Sequence, residues 1–206
     1  VSATGTLSYT PAATANGKPR PFTTVSHWKQ ANKDIEWEGK TYTWSKHTEF
    51  LRLSDLPRRT AQPLELALAA DDAESLALLR SKGWRVIDAA PISRDILPYR
   101  DYIRAARGEF TVAKEQNIRF RTGWFSDRSA CFLAAGKPVV TQDTAFGEVL
   151  PLGEGLFAFG GMEEALAAIE AINADYPRHC RAARAVAEEH FRAERVLASL
   201  LERAGL

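Results

Sequence analysis

The run Arg121-Thr122-Gly123-Trp124-Phe125-Ser126-Asp127-Arg128-Ser129 gathers the residue types that hold a phosphate. It precedes an apolar stretch that reads as a helix closed by Gly136. Backbone N–H groups in the first turn of a helix lack intrahelical partners and lie at the positive end of the macrodipole, so a diphosphate is stabilised there. Gly123 permits close backbone approach. Ser126 and Ser129 supply hydroxyls, and Arg128 supplies a two-pronged cation. Asp127 works the other way, since a carboxylate in the first turn competes for the same N–H groups. The same residues also describe an ordinary capped helix, with Ser126 as the cap.

Three further clusters carry polar chemistry. Gln142-Asp143-Thr144 follows the apolar run KPVVT, at the carboxyl end of what reads as a buried strand. Parallel sheets bind ligands at such ends, and Asp143 could orient a sugar hydroxyl there or simply close an Asx-turn. Lys114, in Lys114-Glu115-Gln116-Asn117, could neutralise phosphate or belong to a solvated loop. Trp28, in His27-Trp28-Lys29, could stack on a flat ring or pack beneath the segment that follows. No zinc-type Cys/His spacing, P-loop, G-x-G-x-x-G or G-x-S-x-G occurs. No metal and no cofactor is expected.

The elements that must position these groups alternate along the chain. Residues 1–22, rich in Ser, Thr, Ala, Gly and Pro, read as a linker or extended arm. FTTVSHW opens the first strand. DIEWEGKTYTW reads as a hairpin with Ile35, Trp37, Tyr42 and Trp44 on one core-facing side. Ser45 is expected to cap a helix that Pro57 ends. LELALA is a strand, and Asp71 with Glu74 forms a capping-box-like start to the next helix. WRVIDA, EFTVA, KPVVT and GLFAF read as four more strands. Helices are expected around 96–106, at 126–135 and 162–173, and as one long helix over 177–204. This alternation predicts an α/β domain over 23–206, a doubly wound parallel sheet of about six strands, Rossmann-like, with its crevice beyond the strands' carboxyl ends.

Composition narrows the function classes. Of 206 residues, 45% are apolar and 26% charged, which provides a core and excludes a disordered chain. Lys+Arg number 27 against 26 Asp+Glu, so the net charge of +1 gives no global reason to seek nucleic acid. The Arg and Glu residues between 178 and 203 read as a salt-bridged helix surface. No apolar run approaches a membrane span, and none resembles a secretory signal, so a cytoplasmic location is expected. Two cysteines, Cys131 and Cys180, make no disulfide framework. A chain opening on Val1 suggests a fragment.

The ordered segments GEFTVAKEQN, RTGWFSDRSACFLAAGKPVVTQDTAF, LPLGEGLFAF and MEEALAAIEAI resemble the carboxyl-terminal half of bacterial GT-B glycosyltransferases. YTWSKHTEFLRLSDLPRRT resembles the same group, so the likeness spans about 23–206. It implies the Rossmann-like, donor-binding half of such an enzyme, taking a nucleotide-sugar and working with an amino-terminal acceptor domain outside these residues. The diphosphate would lie at the helix that GWFSDRS opens, held by Gly123, Ser126, Asp127, Arg128 and Ser129. Lys114 would assist it, and Gln142, Asp143 and Thr144 would approach the sugar. Gly123 and Cys131 stand where many retaining members carry two glutamates. An epimerase-like relative and a catalytically silent interaction domain are the alternatives on the same fold. Sugar-nucleotide binding, and then transfer against interconversion, separates the three.

Overall fold

The computed structural model of the protein describes residues 19–30, 32–70 and 72–205. Six parallel strands form the sheet: β1 (Phe22–His27), β4 (Leu64–Ala69), β5 (Arg85–Asp88), β6 (Gly108–Thr111), β7 (Val139–Gln142) and β8 (Leu156–Phe159), in the spatial order β5-β4-β1-β6-β7-β8. The second and third strands in the chain, β2 (Ile35–Trp37) and β3 (Lys40–Tyr42), pair only with each other, in a hairpin. Renumbered within the sheet, the order is 3-2-1-4-5-6, that of a doubly wound Rossmann-like domain.

The inner strands are short, largely buried runs because both faces are covered, whereas the edge strand β5 is mostly exposed. Adjacent Val139 and Val140 enter different cores, as the two-residue period of a strand requires. One core joins Phe22, Leu66, Phe110, Val140 and Phe159 to α1 (His47–Arg52), α2 (Ala73–Ser81) and α7 (Met162–Ala174) through Phe50, Leu79 and Ile169. The other joins Val139 and Leu156 to α4 (Ile96–Ala105), α6 (Asp127–Ala134) and α8 (Tyr176–His190) through Ile103, Phe132, Leu133, Ala183 and Val186. The short α3 (Ala90–Ser93) and α5 (Glu115–Arg119) and the terminal α9 (Ala193–Arg203) complete the helices used below. No helix among the described residues is long and apolar enough to cross a membrane.

The order of strands places the reversal of winding between β1 and β6. These two pair only through Phe22↔Gly108 and Thr23↔Glu109, whereas β1 pairs with β4 along all of Phe22–His27. Beyond Thr23, β1 and β6 diverge, and their carboxyl ends stand apart.

Several local expectations are corrected. Residues 1–18 of the expected arm lie outside the described residues, but 20–22 are tied to the body. Arg20 O accepts from Gln62 Nε2 (2.8 Å), Pro21 O accepts from Arg107 N (2.9 Å), and Phe22 begins β1. Asp71 also lies outside them, and the side chain that caps α2 is Asp72, accepting from Ser75 N at 3.1 Å. Ser45 does not cap α1. Its buried hydroxyl instead exchanges hydrogen bonds with the Gln30 backbone. Pro57 does not end that helix either, for α1 stops at Arg52 and Pro57 sits inside the 3-10 turn Leu56–Arg58. The break buries Leu53 and Leu56 and leaves Ser54 O to accept from Trp84 Nε1. The expected long helix is two, broken where Phe191 stacks on Phe125 with centroids 5.5 Å apart. The hairpin forms, with Glu38 and Gly39 both at positive φ as a tight primed turn requires. Its apolar residues do not share a buried face. Trp37 is 62% exposed and Ile35 is exposed, while Tyr42 alone of the three is buried, stacked on Phe120. A ribbon of two strands has no second layer to cover both ends.

Candidate functional site

The divergence of β1 from β6 leaves a gap that Arg128 fills. Its NH1 donates to Val25 O on β1 (2.8 Å), its NH2 to Thr111 Oγ1 on β6 (3.0 Å), and its Nε to the Glu109 carboxylate. Glu109 is fully buried and also accepts from Thr24 Oγ1 (3.4 Å). Its second oxygen has no partner among the described residues. The guanidinium therefore stands in for missing backbone pairing and ties the start of α6 to both strands.

Above this wedge opens a crevice of about 290 Å³. Ser26 and His27 line it from the end of β1, Lys114, Trp124, Ser126 and Arg128 from the segments after β6, and Trp44 and Lys46 from the segment before α1. Its position, outside the carboxyl ends at the switch in strand order, is where open α/β sheets bind ligands. Three cations meet there. Lys46 is half-buried and makes a long hydrogen bond to Thr111 Oγ1 (3.5 Å). Burial holds its amine well below the ordinary lysine range, and the Arg128 charge lowers it further. Lys114 Nζ lies 3.8 Å from the centroid of the Trp44 ring, and burial, then Lys33, also lowers its pKa.

The wall that carries Trp124 and Ser126 is stitched to the end of β7. Gly123 N donates to Thr144 O (2.7 Å), and Thr144 Oγ1 donates to Trp124 O (2.7 Å). The opposite wall is held by α5. Glu115 accepts from Thr43 N (3.0 Å), and Gln116 Nε2 donates to Tyr42 O (2.8 Å). Lys114-Glu115-Gln116-Asn117 is thus no solvated loop: Gln116 and Asn117 are buried, and Glu115 and Gln116 secure the hairpin from which Trp44 emerges.

The expected site residues divide into three groups. Lys114, Ser126 and Arg128 reach the crevice. Gly123 (φ 72°) and Thr144 shape the loop beside it, and Ser129 is fully buried with a hydroxyl that has no partner among the described residues. Ser126 occupies the cap position of α6 without a side-chain cap bond, while Asp127 Oδ1 accepts from Arg128 N (2.8 Å). Asp127 therefore occupies part of the helix start. Gln142 and Asp143 face elsewhere. Gln142 is buried between Ala113 N and the Glu49 carboxylate, to which its Nε2 donates at 2.7 Å. Asp143 makes an Asx-turn to Ala145 N (2.8 Å), pairs with Arg121 (3.4 Å), and lines a separate cleft shared with Gly160 and Glu164. Trp28 packs in the core, stacked on Phe50.

Lys46 and Trp44 were not foreseen as site residues. A lysine at a helix start carries no local signal, and its role depends on α1 being carried over the carboxyl end of β1. Among the described residues, no group of three or more His, Cys, Asp or Glu is placed to hold a metal ion. No protein-family model matches the chain, and no curated protein matches it.

Proposed function

We propose that the chain is the donor-binding half of a glycosyltransferase and that its crevice takes the phosphates of a nucleotide-sugar. The observation that carries this reading is the convergence of Lys46, Lys114 and Arg128 on one cleft at the switch point of the sheet. The sequence likeness set out above, which covers the same loops, supports the sugar-nucleotide as the class of ligand.

The chemistry suits a departing diphosphate. Transfer of the sugar leaves negative charge on the leaving oxygen, and cations fixed in advance lower the cost of forming it. Lys46, beside Thr111, and Lys114, against the Trp44 ring, are the amines placed to meet that charge. Arg128 commits three N–H groups to Val25, Thr111 and Glu109, leaving two of the five a guanidinium carries. Its main part is to hold the cleft open. Trp44 and exposed Trp124 offer flat faces for a base or sugar. The acceptor would be held by a separate domain, and without it the chain should bind donor and not transfer it, since positioning of both reactants supplies roughly 7–11 kcal/mol of the barrier.

The test is a calorimetric titration of the 206-residue chain with uridine, guanosine and adenosine diphosphates. Binding of one of them is expected, weakened about ten- to a hundredfold in Lys46→Met and in Lys114→Met, since a charged hydrogen bond is worth about 1.5–3 kcal/mol. Failure of all three to bind, or binding indifferent to both substitutions, would overturn the reading.

A further inference from the structure

Lys46 is a half-buried amine that faces charges of its own sign. Arg128 faces it from α6 and Lys114 from the start of α5, while His27 lines the same cleft from β1. Among the described residues the two carboxylates that favour the Lys46 charge are shared with Arg128: Glu109 gives one oxygen to the guanidinium while its other oxygen has no partner, and Asp127 accepts from the Arg128 backbone N–H. Among the described residues, the Lys46 hydrogen bond goes to a hydroxyl, Thr111 Oγ1, at 3.5 Å. That hydroxyl also accepts from Arg128 NH2, so it offers little to an ammonium. Among the described residues the crevice thus gathers three cationic side chains against two carboxylates, and Lys46 carries its amine on a flexible stem.

From this arrangement, and resting on the phosphate-binding reading above, we infer that entry of a phosphate-bearing ligand is coupled to uptake of one proton by Lys46 Nζ. Without ligand the amine releases its proton readily, because burial and two neighbouring cations oppose the charge. A diphosphate reverses the local sign and makes the ammonium favourable. The proton comes from solvent; no bond other than N–H forms, and the ligand is unchanged. The ligand's own terminal phosphate, with a second pKa near 6, is fully ionised above about pH 8, so it supplies no proton there.

Below the lowered Lys46 pKa the site is already charged, and affinity is independent of pH on its account. Above it, each pH unit costs up to about tenfold in affinity, until the pKa of the liganded state is reached. Lys114 is also lowered, by burial and then by Lys33, so a comparison that alters Lys46 alone is needed to isolate it. Lys46→Arg serves, because a guanidinium keeps the charge and does not release its proton.

The experiment titrates uridine, guanosine and adenosine diphosphates into the 206-residue chain between about pH 7 and pH 10, in paired buffers of different ionisation enthalpy. Wild type is expected to take up a large fraction of one proton more than Lys46→Arg in the upper part of that range. Its affinity should fall more steeply with pH than that of Lys46→Arg, and Lys46→Met, which binds more weakly, should lack the extra uptake too. Equal uptake in wild type and both variants, with binding intact, would overturn the coupling and leave the phosphate-binding reading standing. Absence of binding by all three probes overturns both.

Discussion

Arg128 and Glu109 form an ion pair inside the sheet's switch point, the guanidinium 13% and the carboxylate 0% exposed. Glu109 belongs to β6 and Arg128 to α6, and the guanidinium continues to Val25 O on β1. One side chain therefore spans the two strands at the place where they cease to pair. A group read from sequence as a ligand contact is first a structural wedge.

Arg128→Ala should lower stability by about 3–5 kcal/mol, the usual cost of stranding one member of a buried pair. The double variant Arg128→Met with Glu109→Leu should regain most of that loss, because it leaves no buried charge uncompensated. Denaturant unfolding of the single and double variants measures this. A loss below about 1 kcal/mol in Arg128→Ala would show that the pair does not brace the crevice, and would return Arg128 to the role of a simple ligand contact.

Lys46 should leave a trace in stability even without ligand. Its folded-state pKa is lowered, chiefly by burial. The unfolded chain therefore holds more protons between that value and the ordinary lysine value near 10.4, and stability rises with pH across this window. Below the window the enclosed ammonium destabilises the fold in full. Lys46→Met should be more stable than wild type at low pH, with the advantage shrinking as pH climbs toward 10. A difference that stays constant with pH would contradict the enclosure of the amine.

Gln142 reports on the second buried carboxylate. Its amide donates to Glu49, which is 3% exposed. Gln142→Glu would set two carboxyls side by side, and like charges so placed raise the proton affinity of the pair. A carboxyl with a raised folded-state pKa binds more protons folded than unfolded, so stability falls as pH rises. The variant should lie close to wild type near pH 4 and lose at least about 1–2 kcal/mol by pH 8. Thermal melts at both values decide it, and a loss equal at both would argue for a packing fault instead.

Two glycines at positive φ should behave differently. Gly155 has φ +73°, and a Cβ there would stand 2.2 Å from Ala183 N, a backbone atom of α8. Gly123 has φ +72°, and no atom of the described residues lies within 4 Å of that point. Gly123→Ala carries the left-handed penalty alone, about 1–2 kcal/mol. Gly155→Ala adds an overlap that α8 can relieve only by moving, with a further cost of about 1–3 kcal/mol. Equal destabilisation in urea unfolding would mean that the approach of α8 to β8 is looser than the structure shows.

The sequence by itself determined the elements of the sheet and their class. Runs such as LELALA, KPVVT and GLFAF are short, apolar and separated by helical segments, because a strand covered on both faces has no polar side to display. It also marked the hairpin in DIEWEGKTYTW and the loop that opens α6, since these depend on neighbouring residues alone. Tertiary structure decided what those signals could not carry. Whether β1 stays paired with β6 beyond Thr23 depends on strands more than eighty residues apart in the chain, and no local pattern encodes that divergence. The fate of each polar residue follows from it. Arg128 turns inward because a gap exists to receive it, and Gln142 is consumed by Glu49 from a distant helix. Lys46 becomes a crevice residue because α1 lies over the end of β1. Spacing along the chain tells which groups are present, but burial and charge compensation arise between segments, and these set which groups remain free to meet a ligand.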